Sequence, residues 1–238
     1  MPESRLRLLA VGAHPDDIEF GCGGILLGEA DRGSELALCL CSRGEAGSNG
    51  TPDEREAEAR AGARMLGATL EFLELGGDGH LEVAVPNNIA VARQIRLTRP
   101  DILLAPVGTL DQHPDHAVIS QLCRNAARLA RYGGLEELRD LPPHAIKHHL
   151  EYAITTDADS RRDLPTIRVD ISAQRARWTE LMECHQTQLQ TRRYIELQTA
   201  RARLLGIEAG VEYAQALYAT DDMLVKSLAE IPGSVRLF

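Results

Sequence analysis

Aromatic side chains are scarce in this chain of 238 residues: three Phe, five Tyr and one Trp, 4% of the total. Its core must therefore be packed from aliphatic side chains. No apolar run approaches the roughly 18 residues of a membrane-spanning helix. The first apolar stretch, Leu8 to Ala13, is too short for a secretory leader and runs straight into His14. Positive charge is the minority sign, 26 Lys and Arg against 35 Asp and Glu, for a net charge of −9. With no run of basic residues, neither nucleic acid nor an anionic membrane is an expected partner. The five cysteines, Cys22, Cys39, Cys41, Cys123 and Cys184, are odd in number and contain no C-x-x-C pair. That pattern suits a reducing cytoplasm. Cys39 and Cys41 share one face of an apolar strand and read as core thiols. Internal repeats, low-complexity tracts and linkers are absent too, so residues 1–238 are expected to form one domain.

What is present is ordinary for a globular protein: 44% hydrophobic and 26% charged residues. The first 130 residues alternate strand and helix. Strands are expected at Leu6–Gly12, Glu35–Ser42, Thr69–Leu75 and Asp101–Pro106. Helices are expected at Gly21–Arg32, Thr51–Leu66 and Asn87–Arg99, with another from the second His-rich segment to about Tyr132. Thr51-Pro52-Asp53-Glu54 has the form of a capping box with Pro at the first helical position. Alternation of this kind predicts a Rossmann-like three-layer α/β/α fold with a mostly parallel sheet. Residues 1–132 form its Rossmann-like half, and 133–238 complete the pocket. In that second part His149–Thr156 and Thr166–Ile171 read as strands. Ser172–Leu189 and Arg192–Leu205 read as helices, the latter ending at Gly206. Val211–Tyr218 reads as a strand or a short helix.

Two segments carry chemistry. Ala13-His14-Pro15-Asp16-Asp17 and Asp111-Gln112-His113-Pro114-Asp115-His116 each place a His three positions before a second potential ligand, with Pro directly after that first His. Residues three apart converge on one point from a helical turn. The prolines restrict the His backbone and preset the following turn. Both segments follow a strand, and ligands of open α/β sheets bind at the carboxyl ends of strands. Two imidazoles and a carboxylate are a usual shell for a catalytic Zn²⁺ that keeps one position for water. Asp16, an extra carboxylate beside them, is placed to take that water's proton. Each segment alone has a plainer reading as a turn and helix cap. Together they point to metal-assisted hydrolysis. A His₂Asp shell also admits Fe²⁺ or another divalent ion.

A-H-P-D-D-I-E-F-G-C-G-G with H-P-D-H-A resembles the LmbE-like, or PIG-L-type, zinc de-N-acetylases, which remove acetyl from N-acetylglucosamine-containing substrates. Ser42-Arg43-Gly44-Glu45 with Gly47-Ser48-Asn49-Gly50, and Val169-Asp170-Ile171-Ser172, resemble further family segments. The overall pattern is similar to the bacterial branch with bacillithiol-pathway and chitooligosaccharide-type deacetylases. The resemblance implies that His14, Asp17 and His116 hold the metal and that Asp16 is the base. It implies that His113 stabilises the oxyanion or protonates the leaving amine, with Asp115 orienting His113. It also implies a small N-acetylated sugar or glycoconjugate as substrate and a homo-oligomeric state.

Four further residues are substrate-side candidates. Arg55 matches a substrate-contacting family position, and its alternative is a surface arginine paired with Glu58 or Glu54. Tyr194 resembles a mobile tyrosine of some members, and otherwise reads as a helix-surface aromatic. Arg43 belongs to a loop that sets sugar specificity. His185 is expected mid-helix beside Gln186. His80 lies in a Gly-rich loop that either lines the mouth or is simply solvated, while His144, His148 and His149 read as structural. Gly21-Cys22-Gly23-Gly24 is not a dinucleotide fingerprint and fits close helix–sheet packing. Two other functions stay open: an amidase on a thiol–sugar conjugate, and a non-catalytic Rossmann-like nucleotide-binding protein.

Overall fold

A run of apolar residues, Arg7–Gly12, forms β1 near the middle of a seven-stranded sheet. The computed structural model describes residues 5–109, 113–156 and 164–235. The other strands are β2 (Glu35–Leu40), β3 (Thr69–Phe72), β4 (Ile102–Pro106), β5 (His148–Tyr152), β6 (Thr166–Asp170) and β7 (Ala214–Ala219). Their order is β3-β2-β1-β4-β5-β7-β6. The first five are mutually parallel, with Leu9 opposite Ala37 on one side and Leu103 on the other. β7 runs antiparallel between β5 and β6. The chain therefore leaves β1 toward β2 and β3, then returns to place β4 on the opposite flank. The carboxyl ends of β1 and β4 meet at this switch point, where open α/β sheets bind ligands.

Among the described residues six α-helices cover the sheet: α1 (Asp17–Asp31), α2 (Pro52–Leu66), α3 (Val85–Thr98), α4 (Pro114–Leu129), α5 (Arg175–Glu183) and α6 (Tyr194–Ala209). Alternate strand residues feed two cores. Leu8, Ala10, Leu38, Leu104 and Leu150 pack with α1, α2, α5 and α6. Leu9, Val11, Cys39 and Leu103 pack with α3 and α4. Strands buried on both faces explain why β1, β2 and β4 read as continuous apolar runs. Cys39 and Cys41 are free, buried thiols, as their pattern indicated. Residues beyond 133 supply β5, β6, β7, α5 and α6 to the same sheet and its cover. Among the described residues no helix is long and apolar enough to cross a membrane.

Several boundaries differ from expectation for identifiable reasons. α1 begins at Asp17 rather than Gly21. The chain turns sharply at Asp16, and the acidic Asp17 and Glu19 favour the helix N-terminus. Its glycine run does serve close packing: the Tyr152 ring lies 2.3 Å from where a Gly21 Cβ would stand. The expected helix Ser172–Leu189 is broken. A 3₁₀ turn covers Ser172–Gln174, α5 stops at Glu183, and a turn follows in which Glu58 accepts from the Thr187 backbone N (2.8 Å) and Oγ1 (2.7 Å). That clamp holds the segment off the helical path. α6 runs through Gly206 and ends with Gly210 in the left-handed region. Gly206 is there for contact, since a Cβ would meet the Glu212 carbonyl oxygen at 2.6 Å. Residues 214–219 form a strand, because β5 and β6 both need a partner edge. The capping box of α2 is as read: Glu54 N donates to Thr51 Oγ1 (3.2 Å) and Thr51 N to Glu54 Oε2 (2.7 Å).

Candidate active site

The loop after β1 and the start of α4 bring His14, Asp17 and His116 together, all buried. Their potential ligand atoms lie within 4.8 Å of one another. Asp17 Oδ2 accepts from the backbone N of Ala13 and of His14, both at 2.9 Å. This fixes the carboxylate and leaves Oδ1 at 3.1 Å from His116 Nε2. Burial opposes ionisation of Asp17, but the His116 and His14 imidazoles outweigh it and hold the carboxyl well below the usual range. Burial likewise disfavours the His14 imidazolium, yet Asp17, Asp115 and Asp78 raise its pKa to about 12. Three carboxylates around one imidazole form a pocket that favours positive charge. The donor set, two imidazole nitrogens and one carboxylate oxygen, fits a divalent transition ion. His14, His113 and Asp115 form an overlapping second group.

Asp16 sits where strand becomes helix, with φ 110° and ψ −29°. Apart from Arg99 it is the one described non-glycine residue with positive φ. Such a conformation costs about 1–3 kcal/mol and persists only where surroundings enforce it. The result is that Asp16 and Asp17, adjacent in sequence, point to different neighbours. Asp17 meets the histidines, whereas Asp16 Oδ1 lies 3.8 Å from Arg55 Nη2. Burial and Asp17 push the Asp16 pKa up to about 7, against the pull of His185, Arg55 and His14.

His113 is exposed and caps α4, its Nδ1 accepting from the Asp115 backbone N at 3.3 Å. Its ring meets His14 edge-on at 4.7 Å between centroids. Partial burial and the neighbouring His14 and His116 lower its pKa, which favours the neutral imidazole. The Asp115 carboxylate stands close to both His14 and His113, and its hydrogen bonds go elsewhere than to His113. It lies 3.1 Å from His14 Nε2 and accepts from Gly79 N at 2.8 Å. Its backbone amide donates to His113.

Three of the substrate-side candidates are packed against other parts of the protein. Arg55 is neither a surface residue nor paired with Glu54 or Glu58. It is buried, donating to the Pro15 carbonyl (2.8 Å) and the Gly44 carbonyl (3.1 Å). It ties the glycine-rich loop to the Asp16 turn. His185 follows α5 rather than lying within it, and is 0% exposed. Its Nε2 stands 3.4 Å from Glu19 Oε2, so in this conformation it faces protein, not solvent. Tyr194 opens α6 and stacks on Phe20 at 5.5 Å. Arg43 does line open space. With Glu45, Glu56, Asp78 and His80 it borders a cavity of about 600 Å³ that reaches the histidines through Asp78. His144 is structural, its Nε2 hydrogen-bonding with the Pro100 carbonyl at 2.7 Å. Asp111 and Gln112 lie outside the described residues.

Asp78 is the site residue that sequence reasoning missed. Its Oδ1 lies 3.1 Å from His14 Nε2, and its backbone N donates to Glu45 Oε2 at 2.9 Å. The available signal was an acid inside a glycine-rich turn that follows a parallel strand. Glu19, buried against His185, was also passed over.

Residues 9–127 match the family model described as PIG-L, GlcNAc-PI de-N-acetylase. The uncharacterized deacetylase YaiS of Escherichia coli is 31% identical over 52% of this chain and 69% of its own length. A 4-oxalmesaconate hydratase of Pseudomonas putida is 26% identical over 59% of this chain and 60% of its own. A 1D-myo-inositol 2-acetamido-2-deoxy-alpha-D-glucopyranoside deacetylase of Streptomyces avermitilis is 30% identical over 52% of this chain and 53% of its own. The last two matches thus span less than two thirds of those relatives. Among solved structures, the conserved protein TT1542 of Thermus thermophilus superposes with a TM-score of 0.81 at 29% identity, covering 96% of this chain and 100% of that one. The N,N'-diacetylchitobiose deacetylase of Pyrococcus horikoshii gives 0.77 at 20% identity over 90% and 83%, a likeness of fold. With half its length matched by the family model, and with both His-containing segments of that family folded onto one switch point, the chain belongs to the PIG-L, or LmbE-like, de-N-acetylase family.

Proposed function

We propose that this chain is a zinc-dependent hydrolase that removes acetyl from an N-acetylated sugar of N-acetylglucosamine type, or from a conjugate of one. The observation that carries the reading is the convergence of His14, Asp17 and His116 at the switch point, with Asp16 turned aside next to them. The family description and the sugar deacetylases among its relatives support the substrate class.

His14, Asp17 and His116 would hold the ion, which when bound supplies Lewis-acid polarisation and acidifies a water. Asp16 receives the proton of the attacking water at its carboxylate. Arg55, anchored on Pro15 and Gly44, keeps that carboxylate in place. His113, at the exposed rim, donates a hydrogen bond to the developing oxyanion or a proton to the departing amine. Asp115 supports His14 through its carboxylate and His113 through its backbone amide. The open cavity beside Arg43 and His80 receives the sugar, whose hydroxyl groups suit a charged lining. The same site would serve an amidase acting on a thiol–sugar conjugate. We read residues 1–238 as one domain of a homo-oligomer, in a reducing cytoplasm that the free cysteines suit.

The Pseudomonas relative named as a hydratase supports a second reading, addition of water to an unsaturated acid. One experiment separates them. Purified protein is assayed for metal content, for acetate released from N-acetylglucosamine and larger glycoconjugates, and for hydration of unsaturated tricarboxylic acids, each with and without chelator. Chelator-sensitive acetate release restored by Zn²⁺ is expected. Hydration without acetate release from any amide would overturn the deacetylase reading. Restoration by Fe²⁺ but not Zn²⁺ would overturn the choice of ion.

A further inference from the structure

α6 is seated on the domain through Gln198, Ala202 and Gly206, which are buried. At about 100° per residue, Leu197, Ala200, Leu204 and Ile207 fall on the opposite side of the helix. All four are exposed, the two leucines by 40% and 59% and the isoleucine by 61%. A surface helix ordinarily presents polar residues on the side away from its core. Here that side carries a continuous apolar row, and none of the described residues covers it.

The four residues are separated by 3, 4 and 3 positions. That is the spacing of the seam between two helices wound together, with Leu197 and Leu204 at the first apolar position of each heptad and Ala200 and Ile207 at the second. Such a row is complementary to itself, so another α6 fits it. The flanking charges fix the direction. Glu196 and Arg203 line one margin of the row, Arg201 and Glu208 the other. In a parallel, in-register pair, a residue on the first margin meets the residue five positions further along on the second margin of the other helix. Glu196 then faces Arg201 of the second copy, and Arg203 faces Glu208 of the second copy. Both pairings join opposite signs, and the symmetry repeats each of them. An antiparallel pair with Leu197 against Ile207 would instead bring Arg203 against Arg203 and Arg201 against Arg201.

These side chains also make contacts within the chain. Arg201 donates to the Ile154 carbonyl (2.9 Å), Arg203 to the Glu212 carbonyl (2.7 Å), Arg193 donates to Glu196 (2.6 Å), and Glu208 lies 3.1 Å from Arg168. A guanidinium has five donors and a carboxylate about four acceptor positions, so such contacts leave capacity for a second partner.

We propose that α6 is the contact between two copies of this chain, paired parallel and in register about a twofold axis that runs along the helices. The proposal rests on the chain being a homo-oligomer and names the surface that makes it one.

Sedimentation of the metal-loaded full chain over a range of concentrations tests it, and reversible self-association is expected. Leu204→Glu/Ile207→Glu changes only exposed positions and should weaken association about tenfold or more with an unchanged circular dichroism spectrum. Ala200→Cys puts a thiol on the seam, and in the parallel pair the two new thiols face each other. Oxidised glutathione should then give a covalent dimer that the parent does not form. A chain that stays monomeric at every concentration would overturn this surface together with the homo-oligomer reading. Association of parent strength in the double variant, or no cross-link from Ala200→Cys, would overturn the surface and leave that reading standing. Cross-linking of Ala200→Cys only to Leu204→Cys would overturn the parallel arrangement.

Discussion

His149 makes stability depend on acid in a way that can be worked out in advance. Burial, with a contribution from Arg124 and against the pull of Asp221, lowers its pKa from 6.5 to about 4 in the folded protein. The unfolded chain therefore binds the extra proton first as pH falls. The contribution to stability is complete above pH 6.5 and is lost progressively as pH drops toward 4. For the single group, linkage gives a loss of about 2 kcal/mol by pH 5 and about 3 kcal/mol by pH 4. Urea unfolding of the parent and of His149→Leu, in buffers free of phosphate, isolates this loss from every other titrating group. The difference in unfolding free energy should move in favour of the variant by about 2 kcal/mol between pH 7.5 and pH 5. Parallel pH profiles for the two proteins would show that His149 is not held neutral by burial, and the reasoning would fail.

Asp16→Asn should keep the metal content of the parent and lose about 10²- to 10⁴-fold in turnover. Parent-like turnover in a metal assay-matched sample would remove Asp16 from the role of base. Arg55→Met strips a buried donor from the Pro15 and Gly44 carbonyls and should cost about 2–4 kcal/mol in urea unfolding, with turnover falling more than substrate affinity. A variant as stable as the parent would contradict this. Thr51→Ala removes the α2 cap and should lower stability by about 1 kcal/mol while leaving turnover intact, as thermal melts and assay together would show.

The fold was legible in the sequence where one principle dominated. Strands buried on both faces read as apolar runs, and the Thr51–Glu54 box announced its helix. His14, Asp17 and His116 were legible because ligand spacing and strand position agree. What escaped depended on contacts made across the chain. Asp78 reaches His14 from a loop more than sixty positions downstream, with no spacing rule to flag it. Arg55 is charged and helical, so it reads as surface until the carbonyls of Pro15 and Gly44 are seen folded over it. The helix expected through Leu189 has acceptable local propensity and is broken by Glu58, a residue of α2.

The placement of β7 has a consequence for how the chain reaches its native state. β6 is synthesised more than forty positions before β7, yet β7 is its neighbour among the described strands. β5 likewise keeps one margin bare until β7 inserts alongside it. The Gln215 side chain, through Oε1, then accepts from the backbone N of Ile25 at 3.0 Å, closing a loop of 190 residues. Until that late insertion the nascent protein displays two unpaired strand margins, the kind of surface that recruits other chains. Aggregation during expression should thus respond most to changes in residues 214–219, none of which belongs to the His14–Asp17–His116 group.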